Sequence, residues 1–450
     1  MKLGMICPED LPAGVLAVCH ALQTADHQAY LVGGCVRDHL LGQTPKDYDI
    51  ATSAKPEEVI PLFSKVIPTG IRYGTVTVLA ADMPIEVTTY RTDGNYSDGR
   101  RPDVVTFGTS IQDDLARRDF TINAMAFDLR MGIVDPFGGR RDLEEGAIRA
   151  VGNPDDRFRE DALRMLRAIR LACQLKMQPT QGTLKAIERC ALYAQNVSME
   201  RIREEMNKIL LCDGNDGVWG IGMLSITKLM PHFLPELERC YGFDQQNPHH
   251  RKDVFNHTLA VVSAIPPVLH LRLAALLHDI AKPATFTLDE NGVGHFYGHE
   301  DLGAAMACDI LERLKYDRDI IDKVVHLMQH HMFASDMSFK GIRRFIARVG
   351  AEHIPDLLEL RLADMKGSGT PHDDYHVTLI RTVLAEMQEQ GVADPKVALA
   401  VNGNDVMEVF GISPGPRVGE VLRDLTAKIT DYPDLNHRSV LLEILRIKAL

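Results

Sequence analysis

Along the chain, apolar positions recur first with a period of two and then with a period of 3.6, and the change falls near residue 150. In the first part, short β-branched runs bounded by Gly, Pro or Asp predict strands at "AYLVGG" (29–34), "KDYDIAT" (46–52), "GTVTVLA" (74–80), "MPIEVTTY" (83–90) and "VVTFG" (104–108). A short helix, "VRDHLLG" (36–42), follows the first strand. From about Asp155 the pattern is helical: "DRFREDALRMLRAIRLACQL" (156–175), "GTLKAIERCALYAQ" (182–195) and residues 199–211 each repeat apolar positions three or four apart. The expected organisation is an α+β head (mixed sheet with helices) over residues 1–150 and an all-α neck and body over 151–245. An all-α, histidine-bearing domain over 246–370 and a helical tail over 371–450 complete it. A polar stretch at 240–253 reads as a linker, and "GISPGPRVG" (411–419) breaks the tail.

Two features narrow the class of protein. No apolar run reaches membrane-spanning length, since the best one, 259–281, is interrupted by Pro266, Pro267, His270, Arg272 and His278. The N-terminal residues lack the basic and apolar regions of a signal peptide, and the eight cysteines form no C-x-x-C, so a cytoplasmic protein with reduced thiols is expected. The net charge of −12 argues against a nucleic-acid partner only until its distribution is considered. Between Arg91 and Arg170 the basic residues are almost all arginine, the side chain that forks onto phosphates and base edges.

Within "KDYDIAT", strand alternation sends Asp47 and Asp49 to one face and Tyr48 and Ile50 to the other. Two adjacent carboxylates repel unless a cation lies between them, so the pair is a candidate divalent-metal site in competition with solvated acids on a turn. Upstream, Gly33-Gly34 lets the backbone approach a phosphate, and Arg37 adds a charged fork. Carboxylates that hold Mg²⁺ and donors that neutralise a triphosphate are what transfer of a nucleotide to a hydroxyl requires.

The stretch "LVGGCVRDHLLGQTPKDYDIAT" resembles the signature of class II tRNA nucleotidyltransferases, the family of CCA-adding enzymes and poly(A) polymerases. The likeness continues through "EVTTYRTDGNYSDGRRPDVVTF", "RRDFTINAMAFD" and "DPFGGRRDLEEGAIRAVGNPDDRFREDALRMLRAIR", over about residues 30–175. It implies Mg²⁺ on Asp47 and Asp49, triphosphate on Gly34 and Arg37, and sugar and phosphates on Arg118, Asp119 and Asn123. It also implies CTP, ATP and a tRNA 3′ end as partners, and base selection by side chains without a nucleic-acid template. On a helical wheel over 160–170, Glu160, Arg164 and Arg167 lie within about 40° of one line, with Asp161 and Arg170 flanking. Asp161 can accept from the amino group shared by cytosine and adenine while Arg164 donates to the ring nitrogen; uracil and guanine present the reverse pattern. Arg91 to Arg101 resembles the loop such enzymes use for the final A.

Further on, His257, His278-Asp279, His299, His330-His331 and Asp364 occur in helical context, a donor set that suits borderline transition metals better than Mg²⁺. Their spacing resembles the HD phosphohydrolases. That resemblance implies one metal on His257, His278, Asp279 and Asp364, and a second shared through Asp279 with His299, His330 and His331, with Ni, Mn, Fe or Co as candidates. It further implies phosphatase or 2′,3′-cyclic phosphodiesterase activity. His295 and His326 read as structural. The alternatives left open are an A-adding enzyme or poly(A) polymerase, an enzyme that adds only the two Cs, and an HD phosphohydrolase whose head only binds RNA.

Overall fold

Four of the five strands expected in the head join three others in a seven-stranded mixed sheet, in the order β3-β4-β5-β2-β1-β8-β9, and the fifth, at 104–108, lies outside it. The seven are β1 (Ala29–Val32), β2 (Tyr48–Thr52), β3 (Val66–Gly70), β4 (Thr75–Ala80), β5 (Met83–Thr89), β8 (Ala126–Asp128) and β9 (Gly132–Val134). A separate ribbon pairs β6 (Arg91–Asp93) with β7 (Val105–Phe107). The computed structural model describes residues 3–94, 104–108, 110–246, 252–334, 336–369, 374–390 and 399–449. The Arg-bearing loop expected to serve the final A, beyond Gly94, therefore falls mostly outside the described residues. The short strands β8 and β9 escape the sequence pattern because three residues are too few to show alternation.

Of the pairings in this sheet only β2–β5 is parallel. Its register sets Asp49 beside Glu86, and on the other side of β2 Asp49 faces Val32 of β1. Val32, Ala51, Tyr90, Leu115, Ala126 and Val151 share a core under the sheet. Removing such side chains from water drives the packing at about 25 cal/mol per Å².

The chain divides into two compact units, residues 1–238 with 313–315, and residues 239–312 with 316–450. In the first, the sheet is followed by helices Pro154–Glu160, Leu163–Leu175, Gln181–Cys190, Met199–Leu210 and Gly214–Ile226. The helix Leu163–Leu175 buries Met165, Leu166, Ile169 and Ala172, and packs on Met199–Leu210 and Gly214–Ile226. The single helix expected across residues 160–170 is in fact two. Asp161 has extended backbone (φ −147°, ψ 104°) and its Oδ1 accepts the amide of Leu163 at 3.1 Å. A short polar side chain that captures a nearby amide competes with the helix at that point.

In the second unit, helices Val254–Ala264, Leu269–Leu277, His299–Arg313, Arg318–His330 and Ile354–Ser368 carry the histidine set or its neighbours. A hairpin of Thr287–Leu288 with Gly294–His295 lies between two of them. The tail helices Gly403–Phe410, Pro416–Asp431 and Arg438–Ala449 close on Val406, Leu425, Ile429, Leu441 and Leu445. Gly411 ends the first with φ 62°, as the expected break requires. The polar stretch at 240–253 is not a free linker in its described part. Cys240 and Gln245 are buried, and Gln245 Nε2 donates to the Lys252 carbonyl at 3.1 Å. Among the described residues no helix is long and apolar enough to cross a membrane.

Candidate active site and candidate metal centre

In the head, β1 ends at Val32 and the chain turns through Gly33 with φ 78° and ψ −133°. A Cβ at Gly33 would lie 2.7 Å from Arg118 Nη1 and 3.6 Å from Asp49 Oδ2. Glycine is required there on two counts, the backbone conformation and the guanidinium above it. Gly34, the glycine expected to meet the triphosphate, opens the helix Gly34–Leu40 and lines the same cavity. Gly33→Ala is expected to lower stability by about 1–3 kcal/mol and to displace Arg118. Urea unfolding together with nucleotide titration checks both effects, and an unchanged nucleotide affinity would contradict the second.

Asp49 is half-buried on β2, whereas Asp47 is exposed in the bend one residue before the strand. The two therefore do not share a strand face by alternation, because pleating begins only at Tyr48. They nevertheless line one cavity together with Gly34, Arg37 and Arg170. Burial pushes the Asp49 carboxyl up to about 6, against the attraction of Arg118 and with added repulsion from Glu86 and Asp47. Glu86, exposed beside Asp49 in the parallel register, is a third carboxylate that sequence reasoning missed. Its signal was present: a lone acid at the polar phase of β5, between buried Ile85 and Val87. A cation would relieve the repulsion of Asp49 by Glu86 and Asp47, and oxygen donors suit Mg²⁺, although these three carboxylates do not gather within 4.8 Å of one another.

Facing these acids is an arginine-lined cavity of about 540 Å³. Arg37 donates from Nη1 to Asn123 Oδ1 at 2.7 Å and from Nε to Asp38 at 2.8 Å. Asp119 does not face the cavity as a free acid. It is buried and accepts from Arg167 Nε and Nη2 at 2.9 and 2.6 Å and from Asn123 Nδ2 at 3.1 Å. Burial opposes its charge, yet Arg167 and Asn123 hold the carboxyl well below the usual carboxylate range. Asp119 is thus a positioning group tying Arg167 to Asn123.

A depressed carboxyl contributes stability that is present above its unfolded range and lost as pH falls below it. Arg167→Ala, which leaves that carboxylate buried and unpaired, should cost roughly 3 kcal/mol at pH 7. The gap should narrow in acid, as urea unfolding across pH would measure.

The base-reading candidates are each held from behind and not by one another. Asp161 receives the fork of Arg201 at 2.7 and 3.2 Å. Arg164 donates to Glu160 at 2.6 Å and to the carbonyls of Arg157 and Arg117 at 3.3 and 3.1 Å. Arg170 is paired with Glu205 at 2.5 Å. Arg201 and Glu205, on the helix Met199–Leu210, were not foreseen, since contacts between distant segments leave no mark in local spacing.

The histidines of the second unit converge on Asp279. His257, His278 and Asp279 place one ligand atom each within 4.8 Å of one another, and so do Asp279, His299 and His331. His257 Nε2 lies 3.1 Å from Asp364 Oδ1, which adds the fourth member of the first group. The Nδ1 atoms of His278, His299 and His331 sit 2.9, 2.8 and 2.7 Å from the carbonyls of Ala275, Phe296 and Met328, which turns each Nε2 inward. Nε2 of His299 and of His331 is buried without a hydrogen bond. Burial, with His278 beside it, lowers His331 to about 4, so it is a neutral imidazole ready to ligate. Buried orphan nitrogens around a shared carboxylate fit a transition metal.

His330 does not belong to this set. It is half-buried, with its ring 4.7 Å from that of His326, which in turn lies 4.3 Å from His353. Of the adjacent pair, His331 is the one whose ligand atom joins a group around Asp279. Two further groups escaped sequence reasoning. Lys282 places Nζ 2.8 Å from Asp279 Oδ2 and 3.0 Å from Gln245 Oε1. Arg361 joins Asp279, Lys282, His299, His331 and Asp364 in lining a cavity of about 580 Å³.

A carboxylate cluster beside an arginine-lined cavity on a mixed sheet, and a buried His/Asp centre in a helical unit, match three family models. Residues 29–149 match the poly A polymerase head domain, 176–241 the probable RNA and SrmB-binding site of polymerase A, and 254–365 the HD domain. The molecule is thus a nucleotidyltransferase that carries an HD domain.

Among curated proteins, the CCA-adding enzyme of Ligilactobacillus salivarius is 48% identical over 434 residues, which span 95% of this chain and 94% of that one. The CCA-adding enzyme of Anoxybacillus flavithermus is 46% identical over 432 residues, 95% of each. The chain belongs to the family of CCA-adding enzymes. The structure of the Bacillus stearothermophilus CCA-adding enzyme in complex with CTP superimposes with a TM-score of 0.74 at 29% identity, over 97% of this chain and 96% of that one. The Thermotoga maritima CCA-adding enzyme in its complex with tRNA shares the fold, with a TM-score of 0.62 at 21% identity, over 99% of this chain and 97% of that one.

Proposed function

We propose that this chain adds CMP, CMP and AMP in turn, from CTP and ATP, to the 3′ end of tRNA in the cytoplasm. The observation that carries the proposal is the joint placement of Asp49, Arg118, Asp161 and Arg164 around one cavity. Asp47 and Asp49, with Glu86 beside Asp49, would hold Mg²⁺, which when bound supplies charge neutralisation at the α-phosphate and lowers the pKa of the attacking hydroxyl. Arg37 and Arg118 would orient the triphosphate so that pyrophosphate departs in line with the incoming tRNA 3′-hydroxyl. Asn123 fixes Arg37, and Arg167 would lie beside the sugar and phosphates.

Base choice falls to Asp161 and Arg164. With one carboxylate edge taken by Arg201, Asp161 would accept from the exocyclic amino group, and Arg164 would donate to the ring nitrogen. UTP and GTP would leave both groups mispaired, which hydrogen-bonding sites reject strongly. Arg164→Ala should reduce the preference for CTP over UTP by about a hundredfold, measured as competing incorporation onto tRNA that ends at nucleotide 73. An unchanged ratio would remove Arg164 from base selection.

At the second centre, His257, His278, Asp279 and Asp364, with His299 and His331, would hold one or two transition-metal ions drawn from Ni, Mn, Fe or Co. Such an ion, when bound, activates water for attack on a phosphoester. Lys282 and Arg361 supply positive charge to the same cavity. This supports phosphatase or 2′,3′-cyclic phosphodiesterase activity.

A further inference from the structure

The hairpin that borders the HD cavity carries an aromatic pair with no part in holding metal. Tyr297 is 78% exposed, a large exposure for so bulky a ring. It is stacked on His295 with centroids 5.3 Å apart and planes 8° from parallel. Its hydroxyl lies 3.5 Å from His295 Nδ1, and His295 Nε2 is 3.2 Å from Asp289 Oδ2, so Tyr297 is tied to His295 and His295 to Asp289.

The segment beneath is anchored. Phe296 packs on Phe286 at 5.6 Å, Phe286 on Phe243 at 5.4 Å, and the Lys282 ammonium lies 5.2 Å from the Phe296 ring centre. Gly294 sits so close to the Gln245 carbonyl that a Cβ would lie 2.2 Å from it. His295 and Tyr297 line the same cavity as Asp279, His299 and Arg361. A flat aromatic platform at the mouth of a cavity that also holds cations and a metal-ligand set has the chemistry of a nucleotide: ring, ribose, phosphate.

We propose that His295 and Tyr297 form a nucleobase subsite of the HD cavity, so that the phosphoester taken there is a ribonucleotide bound by its base as well as its phosphate. The inference rests on the HD cavity acting on phosphoesters. The ring of Tyr297 extends the stack to the base, while Lys282 and Arg361 face the phosphate. Because Tyr297 is outside the ligand set, its loss weakens binding and leaves the metal in place.

The test compares adenosine 2′,3′-cyclic phosphate with methyl ribofuranoside 2,3-cyclic phosphate, which has the same reacting group and no base, in the full-length protein with Mn²⁺. Tyr297→Ala should raise KM for the adenosine substrate about tenfold, with kcat and the base-free substrate unchanged. Tyr297→Trp should restore the wild-type value. Equilibrium dialysis with adenosine 2′-monophosphate and chelator-treated protein should show the same tenfold weakening; any occupancy of the head counts equally in both proteins. If Tyr297→Ala keeps the preference for the adenosine substrate, the subsite is overturned. If the wild type hydrolyses neither substrate, hydrolysis at this centre is overturned instead. Dialysis then decides the subsite alone, with equal affinity of the two proteins rejecting it.

Discussion

Asp49→Ala should reduce CMP incorporation by about a thousandfold, roughly 4 kcal/mol of lost transition-state stabilisation, while the fold stays intact. Asp49 is the carboxylate on which the head site converges. It is half-buried between Val32 and Glu86, 3.6 Å from the Cβ that Gly33 lacks, and under the pull of Arg118. Burial disfavours its charge, so removing it relieves the metal-free protein and should not lower its melting temperature. Asp47, exposed and ahead of the strand, has less structure around it, and Asp47→Ala should lose less at high Mg²⁺. Incorporation measured over a range of Mg²⁺, with circular dichroism as the control, separates the two. Equal losses at saturating Mg²⁺ would mean that the bend before β2 contributes as much to metal binding as the strand itself.

Asp279→Ala should strip the second centre of metal. Asp279 belongs to both ligand groups, so no other single substitution removes a donor from each. Partners that only orient ligands typically contribute 10–100-fold to metal affinity, so loss of a shared ligand should exceed about a hundredfold. Metal content after dialysis should fall to background, and hydrolysis of 2′,3′-cyclic AMP should vanish with it. CMP incorporation should be unchanged, because Asp279 lies in the other compact unit from Asp49. Lys282 would be left buried with the Gln245 hydrogen bond and the Phe296 ring but no carboxylate, so Asp279→Asn, which retains an acceptor, controls for the stability cost. Simultaneous loss of both activities would show the two centres to be coupled.

What was legible in the sequence was what repeats or sits close along the chain. Strand alternation in "MPIEVTTY", the turn at Gly33-Gly34 and the helical face of Met165, Leu166 and Ile169 all appear as expected. So does the convergence of His257, His278, Asp279, His299 and His331, whose spacing carried the resemblance to HD proteins.

Asp161 was misplaced because helical periodicity on both sides hides one residue that leaves the helix to cap the next and to meet Arg201. His330, paired with His331 in the sequence, has its ring against His326 and outside both ligand groups, a difference that two adjacent histidines do not show in sequence. Glu86 became visible only when the parallel register set it beside Asp49. Lys282 was passed over although it follows Asp279 by a single helical turn. In each of these cases the deciding contact is tertiary, or turns on which face of an element a side chain takes.

Ordered addition of two cytidylates and one adenylate is tested most directly by single-nucleotide incorporation. Three tRNA substrates, ending at nucleotide 73, at the first C and at the second C, are each offered labelled CTP, ATP, UTP and GTP separately with Mg²⁺. The expected result is CMP onto the first two, AMP onto the third, and negligible UMP or GMP on any. Incorporation of AMP alone, with no CMP onto the substrate ending at nucleotide 73, would contradict it and leave an adenylate-adding enzyme in its place.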